Sequence, residues 1–264
     1  IIFHLAAQPL VLKSYEDPAE TFSTNLIGTL NFLECVRNIP SIKSAINVTT
    51  DKVYENKDWV WGYRENDILG GKDPYSVSKV CSELMSDCYI KALKLNNLAT
   101  IRAGNVIGGG DYAENRIVPD IIKAYRANKK AIIRNPNASR PWQFILDCLH
   151  GYLTIGSALY RDNNFHGSWN IGPSENQNRT VIELAECIVQ KIPTLQIDIL
   201  NNTKQTEHQS LRLDVSKAKN EIGWSNKLNF QKTIDYTIDS YLSESDNTHD
   251  NLLNRINQII QYSE

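Results

Sequence analysis

No G-x-G-x-x-G run occurs among the 13 glycines of this 264-residue chain. The usual glycine cradle for a dinucleotide pyrophosphate is therefore not written in it. No C-x-x-C pair occurs either. The five cysteines, Cys35, Cys81, Cys88, Cys148 and Cys187, are scattered through stretches that read as helix. An odd set without pairing argues against a disulfide framework or thiolate metal centre; reduced, buried or half-buried thiols in a cytoplasmic protein are expected. The five histidines have no ligand spacing, so no metal is expected. Apolar runs of membrane-spanning length and a signal peptide are lacking, so no membrane partner is expected. Charge of one sign is not in excess: 28 basic and 30 acidic residues leave a net charge of −2, which points away from nucleic acid. The single methionine, Met85, is internal, and residue 1 opens directly into the apolar run Ile1-Ile2-Phe3-His4-Leu5-Ala6-Ala7. The chain thus reads as a fragment or processed form that begins inside a buried strand.

What is present is a composition ordinary for a globular protein, 41% hydrophobic and 22% charged, long enough for one large domain or one domain plus a smaller one. Short apolar runs alternate with helical patterns through the first half. Residues 1–7 predict a strand buried on both faces. Asp17-Pro18 then supplies an N-cap and first-turn proline, and Phe22, Leu26, Leu30 and Leu33 recur at helical spacing. Residues 44–50 predict a strand, 55–72 a loop, and Asp73-Pro74 the start of a helix carrying Leu84, Met85, Cys88 and Ala92. Residues 98–106 predict a third strand. Apolar strands joined through helices imply parallel pairing by right-handed crossovers, hence an α/β fold, a doubly wound sheet. In the second half, helices are expected over 117–125, 147–160, 180–192 and 230–243, with a weak stripe over 252–260. Strands are expected over 131–134, 168–172, 196–200 and 211–215.

Ligands in such sheets sit beyond the carboxyl ends of the strands. Three constellations fall there or open the next helix. Tyr75-Ser-Val-Ser-Lys79 places a phenol and an amine four residues apart on one helix face, where a nearby ammonium favours the phenolate and proton exchange with a hydroxyl. The spacing also recurs by chance on many helices. Thr49-Thr50-Asp51-Lys52 follows a strand and sets a carboxyl beside an amine, as an acid and base or as a solvated turn. The glycines of Arg102-Ala-Gly-Asn-Val-Ile-Gly-Gly-Gly-Asp111 allow close approach to a ligand, or simply connect two domains. Arg116, Arg134 and Arg140 suit a diphosphate clamp, though each alone is an ordinary surface charge. Trp59, Trp61, Tyr63 and Trp142 suit stacking on a base or sugar, or core packing.

Taken together, His4-Leu-Ala-Ala7, Thr50, Tyr75-x-x-x-Lys79 and Arg102-Ala-Gly-Asn-Val-x-Gly108 resemble the extended short-chain dehydrogenase/reductase superfamily, over nearly the whole chain. Val48-Thr-Thr-Asp-Lys-Val-Tyr54 is similar to the sugar-nucleotide 4,6-dehydratases. Most of these carry Asp-Glu here; the Asp51-Lys52 pair resembles the CDP-glucose 4,6-dehydratases and one branch of UDP-N-acetylglucosamine dehydratases. The runs Gln8-Pro-Leu, Tyr54-Glu-Asn, Trp59-Val-Trp-Gly-Tyr-Arg-Glu65, Ala103–Asp111, Ile133-Arg-Asn-Pro and Arg140-Pro-Trp-Gln143 look like the CDP-glucose branch.

The resemblance implies a Rossmann-like doubly wound sheet, lacking its first strands, with a smaller α/β substrate domain. Residues 1–110 would bind NAD, with 144–172 packing back on them, and 111–143 and 173–264 would hold a nucleotide-sugar substrate. It implies that Tyr75 takes the proton of the glucose 4-hydroxyl, with Lys79 holding the cofactor ribose and Thr50 bonding the same sugar oxygen. Lys52, in its neutral form, would remove the C5 proton and Asp51 would protonate the departing C6 hydroxyl. Leu5, Ala6, Ala7, Ala103 and Val106 would lie near the nicotinamide; Asn105, Arg116 and Arg140 would contact the diphosphate. Family members usually form homodimers through the helices after the His4–Ala7 strand and after Tyr75. The strand and glycine fingerprint that open such proteins would precede Ile1, so weak NAD binding is expected of the chain as given. A dehydratase of another nucleotide sugar, a 4-epimerase or reductase, and a non-catalytic scaffold or inactive fragment remain open.

Overall fold

Four parallel strands, in the order Ile2–His4, Ala45–Val48, Leu98–Ala103 and Gly167–Ile171, organise the part of the molecule that carries most of these motifs. The computed structural model describes residues 1–173, 178–200 and 211–264, which form two compact units. The first unit comprises 1–104, 149–172 and 211–225; the second comprises 105–148, 173–210 and 226–264. Residues 211–225 therefore belong with the first unit, not with the substrate portion to which the sequence had assigned them.

The chain starts with β1 (Ile2–His4), α1 (Val11–Glu16), α2 (Pro18–Phe22), a single π turn (Ser23–Ile27) and α3 (Gly28–Asn38). It continues through β2 (Ala45–Val48), a 3-10 turn (Asp51–Val53), α4 (Pro74–Lys91) and β3 (Leu98–Ala103). Next come β4 (Val106–Ile107), α5 (Ile117–Arg126), β5 (Ala131–Ile133), β6 (Ser139–Arg140), β7 (Gln143–Phe144) and α6 (Ile145–Arg161). The remainder is β8 (Gly167–Ile171), β9 (Arg179–Thr180), α7 (Val181–Lys191), β10 (Ile197–Ile199), α8 (Ser216–Ile222), α9 (Phe230–Leu242) and α10 (Thr248–Ser263).

In the first unit all six residues of β3 are buried, as its run of apolar and small side chains requires of a central parallel strand. β1 is shorter than the sequence suggests and only half-buried, because among the described residues it pairs on one side alone, with β2. Leu5, Ala6 and Ala7 lie beyond its carboxyl end rather than within it. Residues 211–215 form no strand; Leu213 makes one parallel bridge to Tyr63 and packs with Val53, Tyr54 and Leu211.

The two helices flanking the sheet bury different faces from those expected. α2, the π turn and α3 turn Thr21, Asn25, Thr29, Leu33 and Val36 inward, and leave Phe22, Leu26 and Leu30 half-buried. α4 buries Tyr75, Ser78, Lys79, Ser82, Glu83 and Ser86, and leaves Leu84 and Cys88 exposed. The reason is a polar seam: Asn25 Nδ2 donates to Ser78 Oγ at 2.9 Å, and Thr29 Oγ1 to Ser82 Oγ at 3.1 Å. The small serines let the helices approach, and each buried hydroxyl finds a partner. Cys35 is exposed too, so two of the five thiols are not the buried ones anticipated.

A second polar feature lies deeper. Arg102 on β3 and Glu83 on α4 form an ion pair at 2.8 Å, with side chains 3% and 2% exposed. Glu83 also accepts hydrogen bonds from Thr49 and Thr100. Arg102 donates to the Tyr54 hydroxyl and the Glu65 carbonyl, both at 2.9 Å, and to Ser168 Oγ at 3.0 Å. Tyr54 donates onward to Asn170 at 2.7 Å.

The second unit has its own core. Ile121, Ile122, Ile133, Leu184, Ile188, Ile234 and Ile238 from α5, β5, α7 and α9 form one apolar cluster, as the helical and strand periodicities required. α10, read from sequence as a weak stripe, is a full helix whose Tyr262 is tied by its hydroxyl to Asp147 at 2.7 Å. Among the described residues no helix is long and apolar enough to cross a membrane.

Burial alone raises the Glu83 carboxyl, but the Arg102 guanidinium and the hydrogen bonds from Thr49 and Thr100 outweigh it and hold the group below the usual carboxylate range. The folded carboxyl thus titrates below the unfolded one, near ~4.3. Its contribution is complete at neutral pH and is lost as the pH falls below that value through the lower folded one. Arg102→Met, which strands the carboxylate, is expected to cost about 3–5 kcal/mol at pH 7 by urea unfolding. The difference from the parent should narrow as the pH falls toward about 4, where the stranded group becomes neutral.

Candidate functional site

The carboxyl ends of β1, β2 and β3 share one edge of the first unit, because all three strands run parallel. Three segments emerge there: Leu5-Ala6-Ala7, Thr49 to Lys52, and Ala103-Gly104. Leu5 and Ala6 are exposed and Ala103 is buried. The β2 segment is held in line by Thr49 N, which donates to Ile101 O at 2.8 Å and extends the ladder by a residue. Thr50 then caps the 3-10 turn, its hydroxyl accepting from Lys52 N at 3.3 Å and donating to Asp51 Oδ1 at 3.1 Å.

α4 starts beside this edge for reasons written locally. Asp73 caps it through Ser76 N at 2.9 Å, Ser76 bonds back to complete the box, and Pro74 takes the first helical position. The amide of Tyr75 in the first turn donates to Ser14 Oγ of α1 at 3.1 Å. One turn on, Lys79 is 4% exposed and donates from Nζ to Val48 O, the last residue of β2, at 3.1 Å. That bond anchors the helix face bearing Tyr75 and Lys79 to the strand end that continues into Thr50, Asp51 and Lys52. The sequence-predicted set Thr50, Asp51, Lys52, Tyr75 and Lys79 is accordingly gathered on the 3-10 turn and the first two turns of α4, which pack on one another.

The polar atoms at this edge are incompletely used. Asp51 is 3% exposed, and its Oδ2 has no hydrogen-bond partner among the described residues. Lys52 is half-buried, and its Nζ makes no hydrogen bond or ion pair among the described residues. Lys79 makes a single Nζ bond there, leaving two of three N–H donors open. Burial holds the Lys79 amine down to about 8, with the Glu83 carboxylate pulling the other way. Burial lowers His4 on β1 as well, and the Lys79 charge adds to this. A buried carboxylate oxygen without a donor and a buried ammonium with spare donors suit a hydroxyl-rich ligand.

In the second unit the predicted residues are arranged separately. Asn105 accepts at its carbonyl from Gln143 N at 3.0 Å, and Val106 pairs with Gln143 where β4 meets β7. Arg116 precedes α5 and is paired with Asp111 at 2.8 Å; Arg134 is exposed and bonded to Asn115 and Asp120. Arg140 on β6 is buried, and its guanidinium donates to Ser139 O at 3.0 Å. Arg116 and Arg134, read as parts of a diphosphate clamp, thus already carry carboxylate partners.

The glycine run at 108–110 has a different use from the one expected. A side-chain carbon at Gly109 would collide with Ser240 of α9. At Gly110, where φ is +85°, it would come within 2.7 Å of the Arg255 guanidinium of α10. These glycines admit α9 and α10 to the loop, and Tyr241 clamps it through Asp111 O at 2.7 Å. Trp142 is core, Trp59 packs on Tyr63, and Trp61 is 69% exposed. Sequence reasoning named Glu83 neither as a partner of Lys79 nor as a buried charge; its place four residues beyond Lys79 was the available signal. The cleft lined by Tyr112, Arg126, Tyr241, Glu244 and Arg255 also went unmarked.

The family model described as GDP-mannose 4,6 dehydratase matches residues 1–237. The CDP-glucose 4,6-dehydratase of Salmonella typhimurium is 44% identical over 248 residues, 89% of this chain and 68% of that protein. A dTDP-glucose 4,6-dehydratase of Xanthomonas campestris is 26% identical, covering 92% of this chain and 72% of its own length. Among solved structures, dTDP-glucose 4,6-dehydratase from Bacillus anthracis in complex with NAD superposes with a TM-score of 0.75 at 23% identity, covering 90% of this chain and 71% of that one. UDP-glucuronic acid 4-epimerase from Bacillus cereus, in complex with UDP-glucuronic acid and NAD, gives 0.80 at 21%, covering 90% and 74%. At those identities the two structures establish the fold alone.

Lys79 supplies a test of the buried edge. Its folded pKa lies below the ~10.4 of an unfolded lysine. Below pH ~8 the ammonium is charged in both states, and only the folded state bears the desolvation. That burden is relieved as the pH rises from about 8 to 10.4. Lys79→Met is therefore expected to unfold at the same or higher temperature than the parent at pH 7, with the advantage shrinking by pH 10. A variant markedly less stable at pH 7 would contradict this.

Proposed function

The chain belongs to the GDP-mannose 4,6-dehydratase family, and within it we propose that it dehydrates a nucleotide-activated hexose, CDP-glucose, to CDP-4-keto-6-deoxyglucose. The single observation that carries this beyond simple redox is the Thr50-Asp51-Lys52 turn beside Tyr75 and Lys79, where among the described residues one buried Asp51 oxygen has no donor and the Lys52 amine no partner. An epimerase or reductase acting at C4 alone has no use for a second acid and base.

NAD is the cofactor of this reading; when bound it accepts the C4 hydride and returns it to C6. Lys79, with its two open donors, is assigned to the ribose hydroxyls. Leu5, Ala6, Ala7, Ala103 and Val106 are assigned to the nicotinamide surroundings by resemblance. The small side chains at the strand ends and the exposure of Leu5 and Ala6 leave room for a ring.

The protein's own groups then divide the work. Tyr75, as phenolate, takes the proton of the sugar 4-hydroxyl, and the Lys79 ammonium one turn away stabilises that anion. Thr50 hydrogen-bonds the same oxygen and holds it against Tyr75. The C4 carbonyl acidifies the C5–H, whose proton passes to Lys52. Asp51 is the acid that protonates the departing C6 hydroxyl, which leaves as water. Lys52 returns its proton to C5 as C6 is reduced, and the proton taken by Tyr75 replaces, through solvent, the one Asp51 gave, so the balance is loss of one water with no net redox change. Asn105, Arg116 and Arg140 are assigned to the diphosphate; for Arg116 this means exchanging or sharing Asp111 with a phosphate oxygen. A homodimer of the cytoplasm is the assembly and compartment proposed, with Ile27 and Leu84 as exposed apolar side chains near the helices concerned.

Mass spectrometry of the intact gene product incubated with CDP-glucose and NAD is expected to give a sugar nucleotide lighter by one water. Lys52→Met and Tyr75→Phe should each slow this by about 10²–10⁴-fold, the range for loss of a positioned acid or base. A product of unchanged mass would make the enzyme an epimerase, and full dehydration by Lys52→Met would remove Lys52 from the chemistry.

A further inference from the structure

Lys79 is a buried cation without a carboxylate within ion-pair distance among the described residues. Its bonded neighbour is a neutral main-chain carbonyl at 3.1 Å. The nearest acidic group along α4 is Glu83, one helical turn further on and fully buried. Glu83 in turn is bonded to Arg102 at 2.8 Å and to the hydroxyls of Thr49 and Thr100. Thr49 directly precedes Thr50. One carboxylate therefore stands between the ammonium beside the reacting phenol and the strand end that presents the acid–base turn.

We propose that Glu83 is a positioning residue of the reaction: held by Arg102, its oxygen fixes Thr49 and hence the Thr50–Lys52 turn, and its charge, one helical turn from Lys79, favours the ammonium beside Tyr75. The assignment rests on the roles of Tyr75 and Lys79 proposed above. The other charged or titratable groups on elements packed against this face are His4 on β1, Asp51 and Lys52 on the 3-10 turn, Tyr75 on α4 and Arg102 on β3. Those of α1 and α2, namely Lys13, Tyr15, Glu16 and Glu20, are exposed, and Lys13 and Glu20 are paired with each other. In a low-dielectric interior the buried Glu83 and Arg102 charges outweigh such screened ones.

Glu83 pulls the Lys79 amine upward against its burial. Glu83→Gln keeps the shape and removes that attraction. Lysine side-chain NMR titration of the free protein, with the Lys79 signal assigned by Lys79→Met, reads the midpoint without turnover. The parent midpoint is expected near 8. Glu83→Gln should lower it by about one unit or more. The pH–rate profile for dehydration should shift in the same direction, which a merely structural role for Glu83 would not produce.

A midpoint unmoved by Glu83→Gln in a folded protein overturns the proposal. If the single variant does not fold, Glu83→Gln combined with Arg102→Gln, which leaves no buried lone charge, decides. With the Glu83 attraction gone its midpoint should still fall below that of the parent, and an unmoved midpoint overturns the inference. Midpoints that move as expected without any dehydration activity uphold the electrostatics and sink the reaction instead.

Discussion

Glu83 and Arg102 carry opposite charges into a space that water does not reach, and the first unit is arranged to make that tolerable. Each lone charge would be expensive there, so every element that touches them is constrained. β3 supplies the guanidinium, α4 the carboxylate, the end of β2 a threonine, β8 a serine, and the segment after the 3-10 turn a tyrosine and a carbonyl. A helix rotated by one residue or a strand slipped by one would leave a buried charge without its partner. Pairs of this kind add little net stability but penalise alternatives heavily. Here the arrangement they select is the one that packs the Tyr75–Lys79 face of α4 on the Thr50–Lys52 turn.

The periodicity of strands and most helices was legible because apolar burial dominates there. β2, β3, α5, α7 and α9 fall within a few residues of where their apolar spacing puts them. The faces of α3 and α4 were not legible. Their inward residues are threonine, asparagine, serine, lysine and glutamate, which hydrophobic patterning assigns to solvent. Polar residues go inside only when a specific partner waits, and that partner, as between Asn25 and Ser78, sits 53 residues away. Pairing at that range has no local signature.

The site divides in the same way. That Tyr75, Lys79, Thr50, Asp51 and Lys52 gather at one edge of the sheet was readable because strand end, cap and helical spacing are all short-range patterns. Glu83 was not, although it stands four residues beyond Lys79, because a glutamate on a helix is ordinarily a surface charge. The glycines at 108–110 were visible, but what approaches them was not. Glycine signals close approach by something, and only the positions of Ser240 and Arg255 reveal that the visitor is the protein itself. The arginines show the converse: Arg116 is a reasonable phosphate ligand, but Asp111 already neutralises it, so any anion must compete for it.

The bond from Lys79 ends on the main-chain oxygen of Val48, not on a side chain. Every residue type offers that oxygen at that place, so mutational drift at position 48 cannot delete the anchor. What can delete it is a change in strand length, which moves the carbonyl itself. Residue 48 is thereby a position where lineages, or engineers, can vary the side chain at the mouth of the sheet without unseating the amine. Insertions and deletions in β2 have no such freedom. The site is robust to substitution and fragile to indels, an asymmetry that would be read in a family of such sequences as variable chemistry at constant spacing.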